Sequence, residues 1–172
     1  SEIAVVIAAR DEADRIGETV RAVREAFPGA VVVVADDGSA DATADVARAA
    51  GADGERLPHS AGKGGAATLA AECALAHAPD LILLCDADLG AAGEGDLALA
   101  AFARRVGGGL GIAVGFAHWA IRNLTGLDVR APISGQRALR AEVLQVVTPF
   151  APRFGMEIGM TVDAARAGFR LV

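Results

Sequence analysis

Apolar runs alternate with amphipathic segments along the first half of the chain. Residues 3–8, 30–35 and 81–85 are continuous apolar runs rich in Val, Ile and Leu, which is typical of strands buried on both faces. Residues 14–27 carry apolar side chains at helical spacing before Pro28 and Gly29 end the segment. This order predicts a strand, a helix and a second strand.

The same pattern then repeats. Asp41 or Ser39 is suited to cap a helix that Gly51 ends. A weak strand at 55–57 leads to an Ala-rich helix over about 62–78. Such alternation predicts an α/β fold, with a Rossmann-like, mainly parallel sheet covered by helices on both faces. In sheets of this kind ligands bind at the carboxyl ends of the strands.

The second half of the chain departs from this regularity. A further apolar run at 97–102 follows the strand at 81–85 closely, whereas a parallel crossover needs about a dozen residues or more. We favour the explanation that the natural chain carries additional residues within 89–96. An antiparallel hairpin is the alternative.

We expect three helices and one further strand in the remainder, all within a single domain of 172 residues. The helices are predicted around Trp119, from about Ala141 and over about 157–168. Residues 134–140 precede the helix that is predicted from about Ala141. The strand begins at Phe169, and we expect it to continue beyond the last residue given.

The amino-acid composition and net charge argue against some classes of function. Hydrophobic residues make up 53% of the chain and aromatic residues 4%, so the predicted core is built from small aliphatic side chains. The net charge of −6 argues against a general nucleic-acid binder, because phosphate affinity requires a concentrated positive field. An anionic ligand would need local Lys, Arg or metal.

The expected location is the cytoplasm. No apolar run approaches the ~20 residues of a membrane span, and the first residues lack the regions of a signal peptide. Cys73 and Cys85 lie inside apolar runs without metal-ligand spacing, which predicts buried thiols in a reducing compartment.

Polar residues follow the predicted strands, where a ligand is expected. Asp86 and Asp88 end the apolar run at 81–85, and an i, i+2 pair in extended geometry points the same way. Two such carboxylates can share one hard cation, and Mg²⁺ or Mn²⁺ could bridge a diphosphate. A solvated turn is the alternative.

Two other segments have a ligand-binding and a structural interpretation. Lys63 lies between glycines at the start of a helix, where backbone N–H groups favour an anion, although a surface lysine in a turn is equally consistent. Asp36 and Asp37 can hydrogen-bond a base or ribose, or can cap the following helix.

Taken in order, four segments resemble family 2 glycosyltransferases. They are Ala8-Ala9-Arg10-Asp11-Glu12, Asp36-Asp37-Gly38-Ser39, Gly62-Lys63-Gly64-Gly65-Ala66 and Asp86-Ala87-Asp88-Leu89. The resemblance implies an A-type glycosyltransferase fold, a UDP- or GDP-linked sugar donor, and Mg²⁺ or Mn²⁺ as cofactor. It also implies that residues 1–90 bind the nucleotide-sugar and that residues 91–172 face the acceptor.

The resemblance further implies individual roles. The residues that contact the nucleotide-sugar are then Ala8, Ala9, Arg10, Glu12, Asp37, Lys63, Asp86 and Ala87. Asp86 and Asp88 would hold the metal, Asp88 would be catalytic, and Lys63 would contact phosphate.

Two segments of the second half resemble narrower groups. Residues 132–140 are similar to the acceptor segment of polyprenyl-phosphate glycosyltransferases, and residues 150–159 are similar to glucosyl-3-phosphoglycerate synthases. The implied acceptor residues are Gly135, Gln136, Arg137 and Arg140. Surface salt bridges are the alternative for the two arginines.

Glu157 is the implied catalytic carboxylate, as a general base or as a group that orients the acceptor. A helix N-terminal Glu favoured by the helix dipole is the alternative. The implied acceptor is a phosphorylated small molecule or a lipid phosphate. Peripheral association with the inner face of the membrane and a homodimer are expected as well.

Two other functions compete. Residues 62–67 match the G-x-G-x-x-A fingerprint of NAD(P)-dependent oxidoreductases, and Asp86 follows about twenty residues later, but no strong apolar strand precedes them. A non-catalytic protein that binds a nucleotide-sugar would carry the same donor residues. A nucleotide-sugar pyrophosphorylase is disfavoured, because residues 8–12 are not a glycine-rich loop.

Overall fold

The computed structural model describes residues 2–87, 122–126, 137–151 and 155–169. The strands are β1 (Ile3–Ala9), β2 (Val31–Asp36), β3 (Asp53–Arg56), β4 (Leu81–Asp86) and β5 (Arg137–Arg140). The helices are α1 (Ala13–Ala26), α2 (Thr43–Ala49), α3 (Gly62–Leu75), α4 (Ala141–Val147) and α5 (Met156–Arg166). Residues 122–125 form a further helical turn.

The five strands form one sheet in the order β3-β2-β1-β4-β5. The first four are parallel, and β5 runs antiparallel to β4 at the edge. This arrangement confirms the predicted α/β fold with a mainly parallel sheet.

Strand β1 explains why the sheet is covered on both faces. Val5 and Ile7 belong to one buried apolar cluster, and Ala4 and Val6 belong to the other. Successive side chains of a strand point to opposite faces, so a continuous apolar run requires a partner layer on each. Helices α1 and α2 contribute to the first cluster, and α3, α4 and α5 contribute to the second.

Helix α3 buries a set of small residues. These are Gly64, Ala66, Ala67, Ala70, Ala71 and Ala74. The helix packs on β1 and β2, and its partly buried Leu69, Cys73 and Leu75 pack against the same apolar cluster.

The observed bounds differ from the predicted ones where the chain is exposed. Strand β3 covers 53–56 rather than 55–57, and three of its four residues are exposed at the sheet edge. Helix α3 ends at Leu75 instead of near residue 78, and Ala78 has a left-handed φ of 50°.

Some predictions fall outside the described residues. They are the extra residues within 89–96, the strand at 97–102, the helix around Trp119, the final strand beyond Phe169, and site residues Asp88, Gly135 and Gln136. Among the described helices, none has the length and apolar character that crossing a membrane requires.

The strand order places a crevice at the carboxyl end of the sheet. From β1 the chain continues to β2 on one side, while β4 lies on its other side. Ligands of open α/β sheets bind at such a change of direction.

Candidate functional site

A pocket of about 480 Å³ opens at the carboxyl ends of β1, β2 and β4. It is lined by Ala8, Ala9, Arg10, Glu12, Asp37, Gly62, Lys63, Asp86 and Ala87. All eight residues that the family resemblance assigned to the nucleotide-sugar lie in this lining, together with Gly62. The fold thus brings four separate segments of the chain to one place.

Asp37 fixes the N-terminus of α3 from the end of β2. Its carboxylate accepts hydrogen bonds from the backbone N–H of Ala61 at 2.6 Å and of Gly62 at 3.1 Å, and from the Ser60 hydroxyl at 2.8 Å. Asp37 is buried, with 4% of its surface exposed. The prediction that Asp37 caps the following helix is therefore wrong, because its carboxylate binds the start of α3 and not of α2.

Of the two residues predicted to cap α2, Asp41 hydrogen-bonds the first residue of the helix, but the N-cap position itself is Ala42. Asp41 accepts a hydrogen bond from the backbone N–H of Thr43 at 3.0 Å and another from the Thr43 hydroxyl at 2.5 Å. These hydrogen bonds, the largest from the Thr43 side chain, hold the pKa of Asp41 below its ordinary value. Ser39, the other candidate, has a different role.

Ser39 connects the loops after β1 and β2. Its hydroxyl donates to the carboxylate of Asp36 and accepts from the backbone N–H of Asp11 at 2.9 Å. Asp11 in turn accepts from the backbone N–H of Ala40 at 2.8 Å, and its φ is left-handed at 52°. Asp36, fully buried, therefore supports the loop geometry rather than facing a ligand.

Gly38 allows the turn after β2 to pack against the loop before α3. Its φ is 69°, and a Cβ at this position would lie 3.1 Å from the backbone nitrogen of Ser60. Any other residue would separate the two loops or strain the turn. Ser60 is also the hydrogen-bond partner of Arg10, whose Nη1 donates to its hydroxyl at 2.8 Å.

Lys63 joins the pocket to α5. Its Nζ lies 3.0 Å from Asp86 Oδ1 and 3.0 Å from Glu157 Oε1. Burial by itself would lower the pKa of Lys63, but the nearby carboxylates of Asp86 and Glu157 outweigh it, so that the pKa is raised. Lys63 is therefore a protonated, positive group between two carboxylates.

Glu157 lies in the first turn of α5 and is buried, with 6% of its surface exposed. Arg137 of β5 approaches the same turn. Its Nη1 donates to the Thr161 hydroxyl at 2.7 Å, and that hydroxyl donates to the backbone carbonyl of Glu157 at 2.9 Å. Burial lowers the pKa of Arg137, while the charge of Glu157 acts in the opposite direction.

Arg140 is not brought to this place. Arg137 pairs with Leu84 near the carboxyl end of β4, whereas Arg140 pairs with Leu81 at the beginning of that strand. The Arg140 guanidinium lies 3.2 Å from Glu142 in an exposed ion pair. The surface salt bridge that was the alternative for this residue is what the structure contains.

Two residues that support the site were not found from the sequence. Thr19 of α1 is fully buried and donates a hydrogen bond to the carbonyl of Ala87 at 2.7 Å. It interrupts the apolar stripe of Ile16, Val20 and Val23, which is a signal that could have identified it. Ser60 carries no comparable signal, because its two partners are distant in the sequence.

The chemistry of the pocket fits a hard divalent cation at Asp86. Its carboxylate already holds one cation, the ammonium of Lys63, at the edge of the pocket, and carboxylate oxygens are the ligands that Mg²⁺ and Mn²⁺ prefer. Over the described residues, no three His, Cys, Asp or Glu side chains form a metal-binding group.

The two thiols, predicted to be buried, are partly exposed. Burial, and to a smaller extent Asp86, raises the pKa of Cys85 to about 12, and burial together with nearby carboxylates raises that of Cys73. Both are therefore neutral thiols at neutral pH.

The glycine-rich start of α3 does not have the setting of a dinucleotide fingerprint. The preceding strand is β3, an exposed edge strand, whereas the fingerprint should follow a buried one. The oxidoreductase alternative is not favoured.

Comparison with known proteins gives a consistent result. The model of the family described as "Glycosyl transferase family 2" matches residues 4–106, more than half of the chain. A protein of Methanocaldococcus jannaschii, the uncharacterized protein MJ1222, is 39% identical over 87 residues, which are 51% of this chain and 35% of that protein.

Several solved structures have the same fold. Glucosyl-3-phosphoglycerate synthase from Mycobacterium tuberculosis is 26% identical, with a TM-score of 0.73, over 96% of this chain and 67% of that one. The same enzyme in complex with Mn²⁺, UDP-glucose and phosphoglyceric acid gives a TM-score of 0.72 at 26% identity, over 96% and 65% of the two chains. A mycobacterial protein is 27% identical, with a TM-score of 0.71, over 95% and 60%. The present chain thus spans about a third of the curated relative and about two thirds of these structures.

Proposed function

Because the chain belongs to glycosyl transferase family 2, we propose that it transfers a sugar from a nucleoside diphosphate sugar to an acceptor, with a divalent metal ion at Asp86. The observation that carries this proposal is the pocket at the carboxyl ends of β1, β2 and β4. It combines a positive group, Lys63, with the carboxylate of Asp86 and with Ala8 and Ala9 at the end of β1.

The proposed donor is a UDP-linked sugar. The similar glucosyl-3-phosphoglycerate synthase has been crystallised with UDP-glucose, which favours UDP over GDP. The nucleoside would lie against residues 8–12, with Arg10 and Glu12 at the rim and Asp37 behind them. Lys63 would contact the diphosphate from the N-terminus of α3, where the helix dipole also favours negative charge.

Asp86, with Asp88, would hold Mg²⁺ or Mn²⁺. When bound, the ion would neutralise charge that develops on the departing diphosphate. Lys63 would contribute to the same neutralisation, since its ammonium stands 3.0 Å from Asp86 and its raised pKa keeps it charged. Charge stabilisation of this kind is usually the largest single contribution to catalysis.

The proposed acceptor is a phosphorylated small molecule, and Glu157 and Arg137 would face it. Structures of the similar synthase contain phosphoglyceric acid or glycerol 3-phosphate. Arg137 would supply positive charge, and Glu157 would orient or deprotonate the attacking hydroxyl. Gly135 and Gln136 remain predicted acceptor residues.

Calorimetric titration tests the donor and the metal together. We expect UDP and UDP-glucose to bind in the presence of Mn²⁺ and to bind much more weakly in EDTA, with GDP and GDP-mannose binding less well. Asp86→Asn should abolish the metal dependence. The matched control is Asp45→Asn, an exposed aspartate of α2 outside the pocket. Metal-dependent affinity that survives Asp86→Asn would refute the metal assignment, and binding of none of the nucleotides would refute the function.

Transfer itself separates an enzyme from a non-catalytic binding protein. Release of UDP from UDP-glucose on addition of a phosphorylated acceptor would support transfer. Donor binding without release, with phosphoglyceric acid, glycerol 3-phosphate and a polyprenyl phosphate as acceptors, would favour the non-catalytic alternative.

Location and assembly are further parts of the proposal. A single glycosyltransferase domain over 1–172, a homodimer, a cytoplasmic location and peripheral contact with the membrane are proposed from the family resemblance. Light scattering of the purified protein tests the dimer, and flotation with anionic vesicles tests the membrane contact.

A further inference from the structure

Thr19 is a fully buried polar residue on the face of α1 that packs against the sheet. A hydroxyl in such a place requires a hydrogen-bond partner. One partner of the Thr19 hydroxyl is the carbonyl of Ala87, 2.7 Å away and 68 residues later in the sequence. The bond joins the first helix to the turn that follows β4.

Ala87 is held at two points. Its side chain packs in the apolar cluster that contains Ile7 and Ile16, and its carbonyl is bound by Thr19. The same residue lines the pocket and directly follows Asp86. The carbonyl that Thr19 orients therefore belongs to the residue directly after Asp86, the proposed metal ligand that lies within the described residues.

We infer that Thr19 is a positioning residue for the turn that carries the proposed metal ligand Asp86, an inference that rests on the proposed function. Thr19 is not among the residues that line the described pocket, and it acts through the backbone of Ala87. Supporting groups of this kind orient the residues that bind a metal, and their removal typically reduces metal affinity by about 10–100-fold.

Three variants of Thr19 separate the hydrogen bond from packing. Thr19→Val keeps the shape and removes the donor, Thr19→Ala removes donor and methyl group, and Thr19→Ser keeps the donor. The matched control is Thr148→Val, because the Thr148 hydroxyl also donates to a backbone carbonyl, that of Leu144, at 2.7 Å and outside the pocket.

The measurement is Mn²⁺ binding in the presence of UDP, followed by electron paramagnetic resonance, with UDP binding in EDTA as a second readout. We expect Mn²⁺ affinity to fall about tenfold or more in Thr19→Val and Thr19→Ala, and to stay within about twofold of wild type in Thr19→Ser and Thr148→Val. UDP binding in EDTA should not differ among the variants.

Wild-type Mn²⁺ affinity in both donor-free variants would overturn the inference. An equal loss in Thr19→Ser would overturn it as well, since packing would then be the cause. If Thr19→Val does not fold, Thr19→Ala and Thr19→Ser provide the same comparison. Failure of the wild-type protein to bind Mn²⁺ with UDP would instead refute the proposed function, and this inference with it.

Discussion

Replacement of Asp37 by Ala should destabilise the whole domain as well as weaken nucleotide binding. The Asp37 carboxylate accepts three hydrogen bonds, from the backbone of Ala61 and Gly62 and from the hydroxyl of Ser60. Its negative charge also lies at the N-terminus of α3, where the helix dipole favours it. Asp37→Ala leaves all three donors without their acceptor.

The size of the effect follows from these bonds. A hydrogen bond to a charged group contributes about 1.5–3 kcal/mol, and loss of a helix N-terminal cap costs about 0.5–2 kcal/mol. The three donors are only partly buried, so water would compensate for some of them. We therefore expect a loss of about 2–4 kcal/mol in the free energy of unfolding, or roughly 5–15 °C in Tm.

Urea denaturation followed by circular dichroism measures this loss, and titration with UDP on the same samples measures binding. Asp37→Asn, which keeps one acceptor oxygen, should lose less stability than Asp37→Ala. Asp45→Ala is the control, because Asp45 is exposed and forms an ion pair with the neighbouring Arg48 across one helical turn. Its effect should stay within about 0.5 kcal/mol.

The reasoning would be refuted if Asp37→Ala were as stable as Asp45→Ala. Weakened UDP binding in a fully stable Asp37→Ala variant would mean that the carboxylate contacts the nucleoside and does not anchor α3.

Three further predictions concern charge and titration. The raised pKa of Lys63 means that its ion pairs stabilise the fold fully below the ordinary lysine value of 10.5 and lose that effect as pH rises through the folded value. The difference in Tm between wild type and Lys63→Met should thus be constant from about pH 7 to 9 and shrink above about pH 10.5, and a constant difference at all pH values would contradict this. Arg137→Ala should raise the KM for a phosphorylated acceptor about tenfold or more with donor affinity unchanged, whereas Arg140→Ala should change neither; equal effects of the two would contradict the placement of Arg140. Cys85, with a pKa of about 12, should react with iodoacetamide at pH 8 at least about 100 times more slowly than a free cysteine, which peptide mass spectrometry measures; rapid labelling in the native protein would exclude the burial that raises this pKa.

The central strands could be predicted to within about one residue, because burial on both faces leaves an uninterrupted apolar run. The predicted strand at 55–57 begins two residues later than β3 does, since an edge strand with exposed side chains has no such signature. The end of α3 was placed too late, because Ala76, His77 and Ala78 have no sequence feature that marks the left-handed turn.

For the site, the sequence indicated which residues of the first half lie together at the strand ends, but not their hydrogen-bond partners. The sequence suggests a ligand or the following helix as the hydrogen-bond partner of Asp37, whereas the donors that Asp37 binds lie 23–25 residues further along the chain. Arg137 and Arg140 were treated alike, although residues three apart on a strand face opposite sides. Only the register of β5 against β4 shows that Arg137 lies near the carboxyl end of β4 and Arg140 near its beginning.

The small residues of α3 give the site an unexpected dependence on the protein interior. On the helix side, the buried residues of α3 are all Gly or Ala, and Lys63 is the second residue of the helix. A branched side chain in place of Ala70, which is buried and does not line the pocket, would push α3 away from the sheet. The ammonium of Lys63 would then lie farther from Asp86. Substitution of core alanines about two helical turns from Lys63 can therefore change the distance between the charged groups of this pocket, while every residue in the pocket stays the same.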